Sequence, residues 1–220
     1  MQAEIFEGKD MKYTHIIWDF NGTIFDDLLP CIESTNLMLK NRGIPQMPDV
    51  ESYRRVFGFP VKSYYESIGF DFSVESYDDL AIEWVNLYLE KTKNAGLMPG
   101  VAEALERFKA LGLKQIVLSA CESEMLNAQL KELGVHDYFD TIIGLDNIHA
   151  GGKGALAKKW REENMDAKAL FIGDTIHDAE VAGIAGSECM LYLGGHQDRA
   201  RLEKCGRVFE TFAEIEKYLH

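Results

Sequence analysis

From residue 98 onward, short apolar runs rich in branched residues alternate with segments of helical spacing, and this alternation restricts the chain to parallel βαβ connections. With THIIWDF ahead of it, the series KQIVLSA, DTIIG, KALFIGD and CMLYLG reads as buried strands, mostly bounded by Gly or Asp. Between them VAEALERFKALG, SEMLNAQLKELG, KGALAKKWREEN and IHDAEVAGIAG repeat apolar residues at helical intervals, and Gly ends three of the four. A weak strand, RVFE, and a last helix, FAEIEKYL, close the chain.

Residues 28 to 96 break the rhythm. LPCIESTNLMLKNRG, DVESYRRVF, VKSYYESIG and SVESYDDLAIEWVNLYLEKTKNA are four helical segments in a row, with no strand pattern between them. An all-helical block that interrupts an α/β pattern just after its first strand is expected to form a small bundle beside the sheet. The expected architecture is an α/β, Rossmann-like parallel sheet core from residues 1–27 and 97–220, with an inserted helical unit at 28–96.

The 220 residues are 46% hydrophobic, enough for a real core without cross-links. Lys and Arg number 23 against 36 Asp and Glu, and the net charge of −13 repels nucleic acid and anionic lipid. An anionic substrate therefore needs positive charge supplied locally. Cys31, Cys121, Cys189 and Cys205 show no C-x-x-C or Cys/His spacing, so buried reduced thiols are expected. MQAEIFEGKDMKY, with Glu4, Glu7 and Asp10, holds no apolar signal region, and no run approaches membrane-spanning length. A cytoplasmic setting is the expectation, as a monomer or homodimer.

In open parallel sheets, ligands bind beyond the carboxyl ends of the strands. Asp19 ends the first strand, Ser119 ends IVLS, Lys153 opens a helix in GGKGA, and Asp174 and Asp178 follow LFIG in GDTIHD. Singly, each could be a turn former, a cap or a solvated charge. Gathered together, carboxylates repel by about 4 kcal/mol per pair at an effective dielectric near 20, so Asp19, Asp174 and Asp178 require a cation. Hard oxygen ligands with no His or Cys in the motifs suit Mg²⁺ completed by water and a phosphate. Lys153 and Ser119 add a point charge and a hydroxyl donor, and Gly22 permits a turn that aims amide N–H groups at the same anion. GGKGA is not a P-loop: Asn147 stands where its first Gly belongs, and Gly154 where Ser or Thr should bind the metal.

The ordered set DFNGT, LSA, Lys153 and GDTIHD resembles the four motifs of the haloacid dehalogenase superfamily, and the helical insert resembles its C1 cap. The likeness runs from Lys12 to Leu219 and is similar to the phosphoglycolate-phosphatase-like branch. It implies a phosphatase acting on a small phosphorylated metabolite, with Asp19 as nucleophile and metal ligand, the carbonyl of Asn21 as second ligand and Asp174 as third. It further implies that Phe20, Gly22, Thr23, Ala120, Ser119 and Lys153 order the loops around the phosphate. Asp178 would orient Lys153 or a metal-bound water.

Phosphatases of this superfamily generally carry Asp where this chain has Asn21, and that Asp protonates the leaving oxygen. Asn cannot, and general acid-base help is worth about 10²- to 10⁴-fold. Three readings follow. The chain is a phosphatase that is slow or restricted to good leaving groups such as aryl or acyl phosphates; or a non-catalytic relative binding a phosphate ligand or partner; or a phosphonoacetaldehyde hydrolase-like enzyme using Lys62 as Schiff base. Asp26 and Asp27 are expected to cap the first inserted helix, with relay of a proton as their alternative. Arg54, Arg55 and Lys62 are the insert's candidate anion contacts, while Tyr53, Tyr64, Tyr65 and Trp84 pack the bundle. Hinges are expected near Asp27 and Gly96.

Overall fold

The computed structural model of the chain describes residues 11–146 and 152–220. Glu4, Glu7 and Asp10, and Asn147 and Gly151 of the P-loop comparison, lie outside them. Strands β1 (His15–Trp18), β2 (Lys114–Glu122), β3 (Thr141–Leu145), β4 (Ala169–Gly173), β5 (Glu188–Tyr192) and β6 (Arg207–Phe209) form a six-stranded parallel sheet in the order β3-β2-β1-β4-β5-β6. The chain builds outward from β1 to β3 and then crosses back to β4. The switch point therefore lies between β1 and β4, where open α/β sheets form their ligand crevice.

Register sets the positions of the site. Trp18 pairs with both Val117 and Ile172, and the Asp19 amide donates to the Ile172 carbonyl at 2.8 Å. Asp19, Ser119 and Asp174 are thereby brought to one rim. Helices α5 (Val101–Ala110), α6 (Ser123–Glu132), α7 (Gly154–Glu163) and α8 (Ile176–Ala185) cover the sheet. One face buries Trp18 against Phe108 and Phe212, and the other buries Ile17 and Phe171 with Trp160. The Trp18 indole N–H, which burial would otherwise leave unsatisfied, donates to Gln115 Oε1 at 3.1 Å.

The inserted segment contains α1 (Leu28–Asn41), α2 (Val50–Val56), α3 (Val61–Ser67) and α4 (Tyr77–Lys91), with a 3₁₀ turn at Thr92–Asn94. Its two connections are tied side by side. The Asp26 amide donates to the Gly96 carbonyl at 2.9 Å, and the Met98 amide to the Ile24 carbonyl at 2.8 Å. The expected hinge thus carries an isolated antiparallel bridge between Phe25 and Leu97.

Three expectations are corrected. The closing segment Phe212–Tyr218 is a 3₁₀ helix, because a run this short tightens readily to i→i+3 bonding. A four-residue helix, α9 (Arg199–Leu202), is capped by Asp198 and too short to leave a periodic pattern. Cys31 and Cys121 are buried thiols, but Cys189 is half-buried and Cys205 exposed. Among the described residues no helix is long and apolar enough to cross a membrane.

Candidate active site

The loop after β1 is shaped by what surrounds it. Gly22 has φ of 70°, and a Cβ there would lie 2.3 Å from His196 Cδ2 and 2.5 Å from Asp174 Oδ2. Glycine is needed for both the left-handed backbone and the close approach. Contrary to the expectation from the turn, its amide is not left for a substrate anion but donates to the Asp27 carboxylate at Oδ1, 2.8 Å away, and to the Phe25 carbonyl at 3.0 Å. Phe20 contributes backbone alone to the rim, since its buried ring stacks on Phe25 at 5.3 Å. Thr23, buried, donates its hydroxyl to Asp174 Oδ1 at 3.1 Å and so fixes that carboxylate.

Lys153 is 2% exposed, which removes the solvated-charge reading. Its ammonium lies 2.5 Å from Asp19 Oδ1 and 2.6 Å from Asp178 Oδ1. Asp178 reaches this point because it is also the capping-box residue of α8: its Oδ2 accepts from the Thr175 amide at 2.8 Å and from the Thr175 hydroxyl at 2.7 Å. One carboxylate therefore closes a helix terminus and neutralises a buried lysine. Ser119 is buried within β2, where its Oγ accepts from the Cys121 amide at 3.0 Å.

Asp27 stands at the N-cap position of α1, but its side chain caps no amide of the first turn. It accepts from the Cys31 thiol at 3.5 Å and is 1% exposed at the centre of a polar cluster. Asn21 Nδ2 donates to its Oδ2 at 2.7 Å, the Tyr88 hydroxyl donates to the same oxygen at 2.9 Å, and His196 Nε2 faces its Oδ1 at 3.1 Å. Asp26, the other expected cap, is exposed.

His196 and Tyr88 have no place among the residues expected from sequence. His196 stands in LGGHQD just beyond β5, a strand end whose polar residues attracted no assignment, although the strand-end rule applies there equally. Its amide donates to Asp174 Oδ2 at 2.6 Å, and its Nδ1 faces the Tyr53 hydroxyl at 2.9 Å. A Cβ on the preceding Gly195 would stand 2.2 Å from Asp174 Oδ2, so the loop needs glycine to pass that carboxylate.

Burial, reinforced by the Asp178 charge and only partly offset by Lys153, pushes the Asp19 carboxyl up to about 8. Burial likewise pushes Asp174 up to about 6. His196 moves the other way from what burial imposes: the Asp27 carboxylate, by charge and hydrogen bond, raises it to about 9. Asp27 is lowered despite its burial, chiefly by the His196 charge. Four buried carboxylates, Asp19, Asp27, Asp174 and Asp178, thus meet two buried cations, Lys153 and His196. Carboxylate oxygens of Asp19, Asp174 and Asp178 all lie within 4.8 Å of one another. A hard divalent cation fits this arrangement in both donor chemistry and charge.

Beside these groups, a cavity of about 180 Å³ separates the sheet rim from the inserted helices. Asp19, Asn21, Ser119, Ala120 and Lys153 form its floor, and Tyr53, Tyr64, Tyr65 and Trp84 line it as well as packing the bundle. The expected cationic contacts do not reach it. Arg54 donates to the carbonyls of Gly195 and Gly194, each at 2.8 Å, and so clamps α2 to the loop carrying His196. Arg55 is exposed, and so is Lys62, whose ammonium lies 5.4 Å from the Phe72 ring centroid and which is not among the residues lining the cavity.

A family model described as haloacid dehalogenase-like hydrolase matches residues 16–191. A phosphoglycolate phosphatase of Caulobacter vibrioides is 24% identical over 94% of this chain and 91% of its own length. The phosphoglycolate phosphatase of Rhodobacter capsulatus is 25% identical over 83% and 85% respectively. Among solved structures, a haloacid dehalogenase-like family protein of Streptococcus pneumoniae superposes with a TM-score of 0.75 at 22% identity, covering 95% of this chain and 99% of its own.

Proposed function

The chain belongs to the haloacid dehalogenase-like hydrolases, and from that premise we propose that it is a Mg²⁺-dependent phosphatase of a small phosphorylated metabolite, working through a phosphorylated Asp19. The observation that carries this reading is the convergence of Asp19, Asp174 and Asp178 within 4.8 Å, with Lys153 bridging Asp19 and Asp178. The phosphoglycolate phosphatases found as relatives support the reaction class. In the same reading residues 28–96 act as the cap over the site.

Asp19, Asp174 and the Asn21 carbonyl would hold the metal, with Asp178 beside them. Bound there, Mg²⁺ supplies Lewis-acid charge to the phosphoryl oxygens and keeps the carboxylates ionised. Lys153 holds Asp19 Oδ1, leaving the other oxygen to attack phosphorus. The bond from phosphorus to the leaving oxygen breaks as the Asp19 oxygen bonds to phosphorus, and Ser119 and Lys153 stand at the floor where the phosphoryl group sits. Water then attacks the aspartyl-phosphate, returning the Asp19 carboxylate and releasing orthophosphate. Position 21 carries an amide that serves as donor to Asp27, so no side chain there supplies the leaving-group proton or takes one from water. Turnover is therefore slow, and favoured by leaving groups that depart as stable anions.

The test is phosphate release from an aryl phosphate with and without Mg²⁺, in wild type and Asp19→Asn, with acid quench to trap phosphorylated protein. Mg²⁺-dependent release and a trapped phosphoryl group, both lost in Asp19→Asn, are expected. No release despite Mg²⁺ binding would make the chain a phosphate-binding relative without turnover.

A further inference from the structure

The cavity beside Asp19 has walls unsuited to a charged leaving group. Phe57, Phe59, Trp84, Tyr88 and Met125 line it, with Trp84 stacked on Tyr88 at 4.7 Å and Phe57 packed on Tyr64 at 5.2 Å. Among the described lining residues there is no arginine, and Lys153 and His196 are already engaged, which leaves one buried ring nitrogen, His177 Nε2, without a partner. Lys153 is held between Asp19 and Asp178, and His196 faces Asp27 and Tyr53. His177 lies against the Phe59 ring at 4.7 Å with its Nδ1 toward Glu180 at 3.4 Å, and its Nε2 is buried without a hydrogen-bond partner. The arginines expected to reach an anion turn elsewhere, Arg54 to the backbone of Gly194 and Gly195. A carboxylate brought into these walls would lose its hydration with a single unpaired ring nitrogen, His177 Nε2, and no arginine or free lysine to replace it, while a flat apolar ring would meet aromatic faces.

Position 21 argues independently in the same direction. Without a side-chain acid, the leaving oxygen must depart carrying its electron pair, and a phenolate does so far more readily than an alkoxide. We propose that the substrate is the phosphate monoester of an uncharged aromatic alcohol, in contrast to the carboxylated alkyl phosphate named for the relatives. The inference rests on the phosphatase reading. In the step, an Asp19 oxygen bonds to phosphorus, the bond from phosphorus to the aryl oxygen breaks, and the phenolate leaves with that electron pair and is protonated by solvent water.

The experiment compares two unreactive phosphonates, 1-naphthylmethylphosphonate and phosphonoacetate, by calorimetric titration of the whole chain with Mg²⁺. The naphthyl compound is expected to bind at least about tenfold tighter, as an aromatic-walled pocket whose lysine is already paired favours. In Trp84→Leu, checked for native folding by circular dichroism, this preference should shrink several-fold, through weaker binding of the naphthyl compound. Equal or tighter binding of phosphonoacetate, or an undiminished preference in Trp84→Leu, overturns the proposal. Hydrolysis of acetyl phosphate, which has no bulky group to place in the cavity, judges the phosphatase reading separately. Mg²⁺-dependent turnover there without a naphthyl preference sinks the substrate class alone, whereas no turnover of acetyl phosphate sinks the parent reading.

Discussion

Asn21 donates its side-chain amide to Asp27 Oδ2 at 2.7 Å, so position 21 does not face the cavity as a lone substitution but belongs to a buried pair. An aspartate at 21 would set two carboxylates where amide and carboxylate now complement one another.

Asn21→Asp is therefore expected to lower stability at neutral pH by about 1–3 kcal/mol, the cost of replacing a buried donor by a like charge. Adding Asp27→Asn should recover only part of the loss, since the donor and acceptor are then exchanged but buried His196 loses the carboxylate 3.1 Å away that compensates it. Urea denaturation of the two single variants and the double variant checks this; additive losses would show that the two positions do not communicate.

The same substitution should help chemistry. Two carboxylates this close share a proton, as coupled dyads do, which places an acid beside the leaving oxygen. We expect kcat/KM on alkyl phosphates to rise by about 10²-fold and on aryl phosphates by far less, following the usual worth of general acid help. Equal changes on both classes would dismiss the role assigned to the missing acid.

His196 compensates Asp27 from 3.1 Å inside the protein. Removing one member of a buried ion pair leaves an uncompensated charge, so His196→Leu should cost about 3–5 kcal/mol. Asp27→Asn combined with His196→Gln, which keeps hydrogen bonds without charge, should be much milder. Thermal unfolding of both separates charge from packing.

Magnesium stabilisation should depend on pH with a definite sign. Asp19 is raised from 3.8 to about 8, so the metal-free folded state holds a proton that the unfolded chain has released. Folding stability of the metal-free protein accordingly falls as pH rises through that window. Magnesium displaces the proton, and its increment in Tm should be larger at about pH 8 than at about pH 5. An increment that does not vary with pH would mean that the ion binds away from Asp19.

Arg54 binds two backbone carbonyls of the His196 loop, both at 2.8 Å. Arg54→Ala should reduce stability by about 1–3 kcal/mol through the two orphaned acceptors. It should shift kcat and KM to a similar extent for every substrate, because the residue positions the loop. A selective loss for carboxylated substrates would instead assign it to substrate binding.

By itself the sequence determined the layers of this protein. Continuous apolar runs and a 3.6-residue apolar spacing separate buried strands from helices through local sterics and burial alone, which is why β1 to β5, the four inserted helices and the rim holding Asp19, Ser119, Lys153 and Asp174 could all be read from it. Asp178 was legible for the same reason, one helical turn after Asp174. What only the tertiary structure decided is the second half of the site. Asp27 looked like a cap because its neighbours in sequence begin a helix, whereas its partners Tyr88 and His196 lie 61 and 169 residues away. Arg54 and Lys62 carry charge that sequence can count but not aim. Direction comes from packing between the inserted helices and the loop after β5, and no local period encodes that contact.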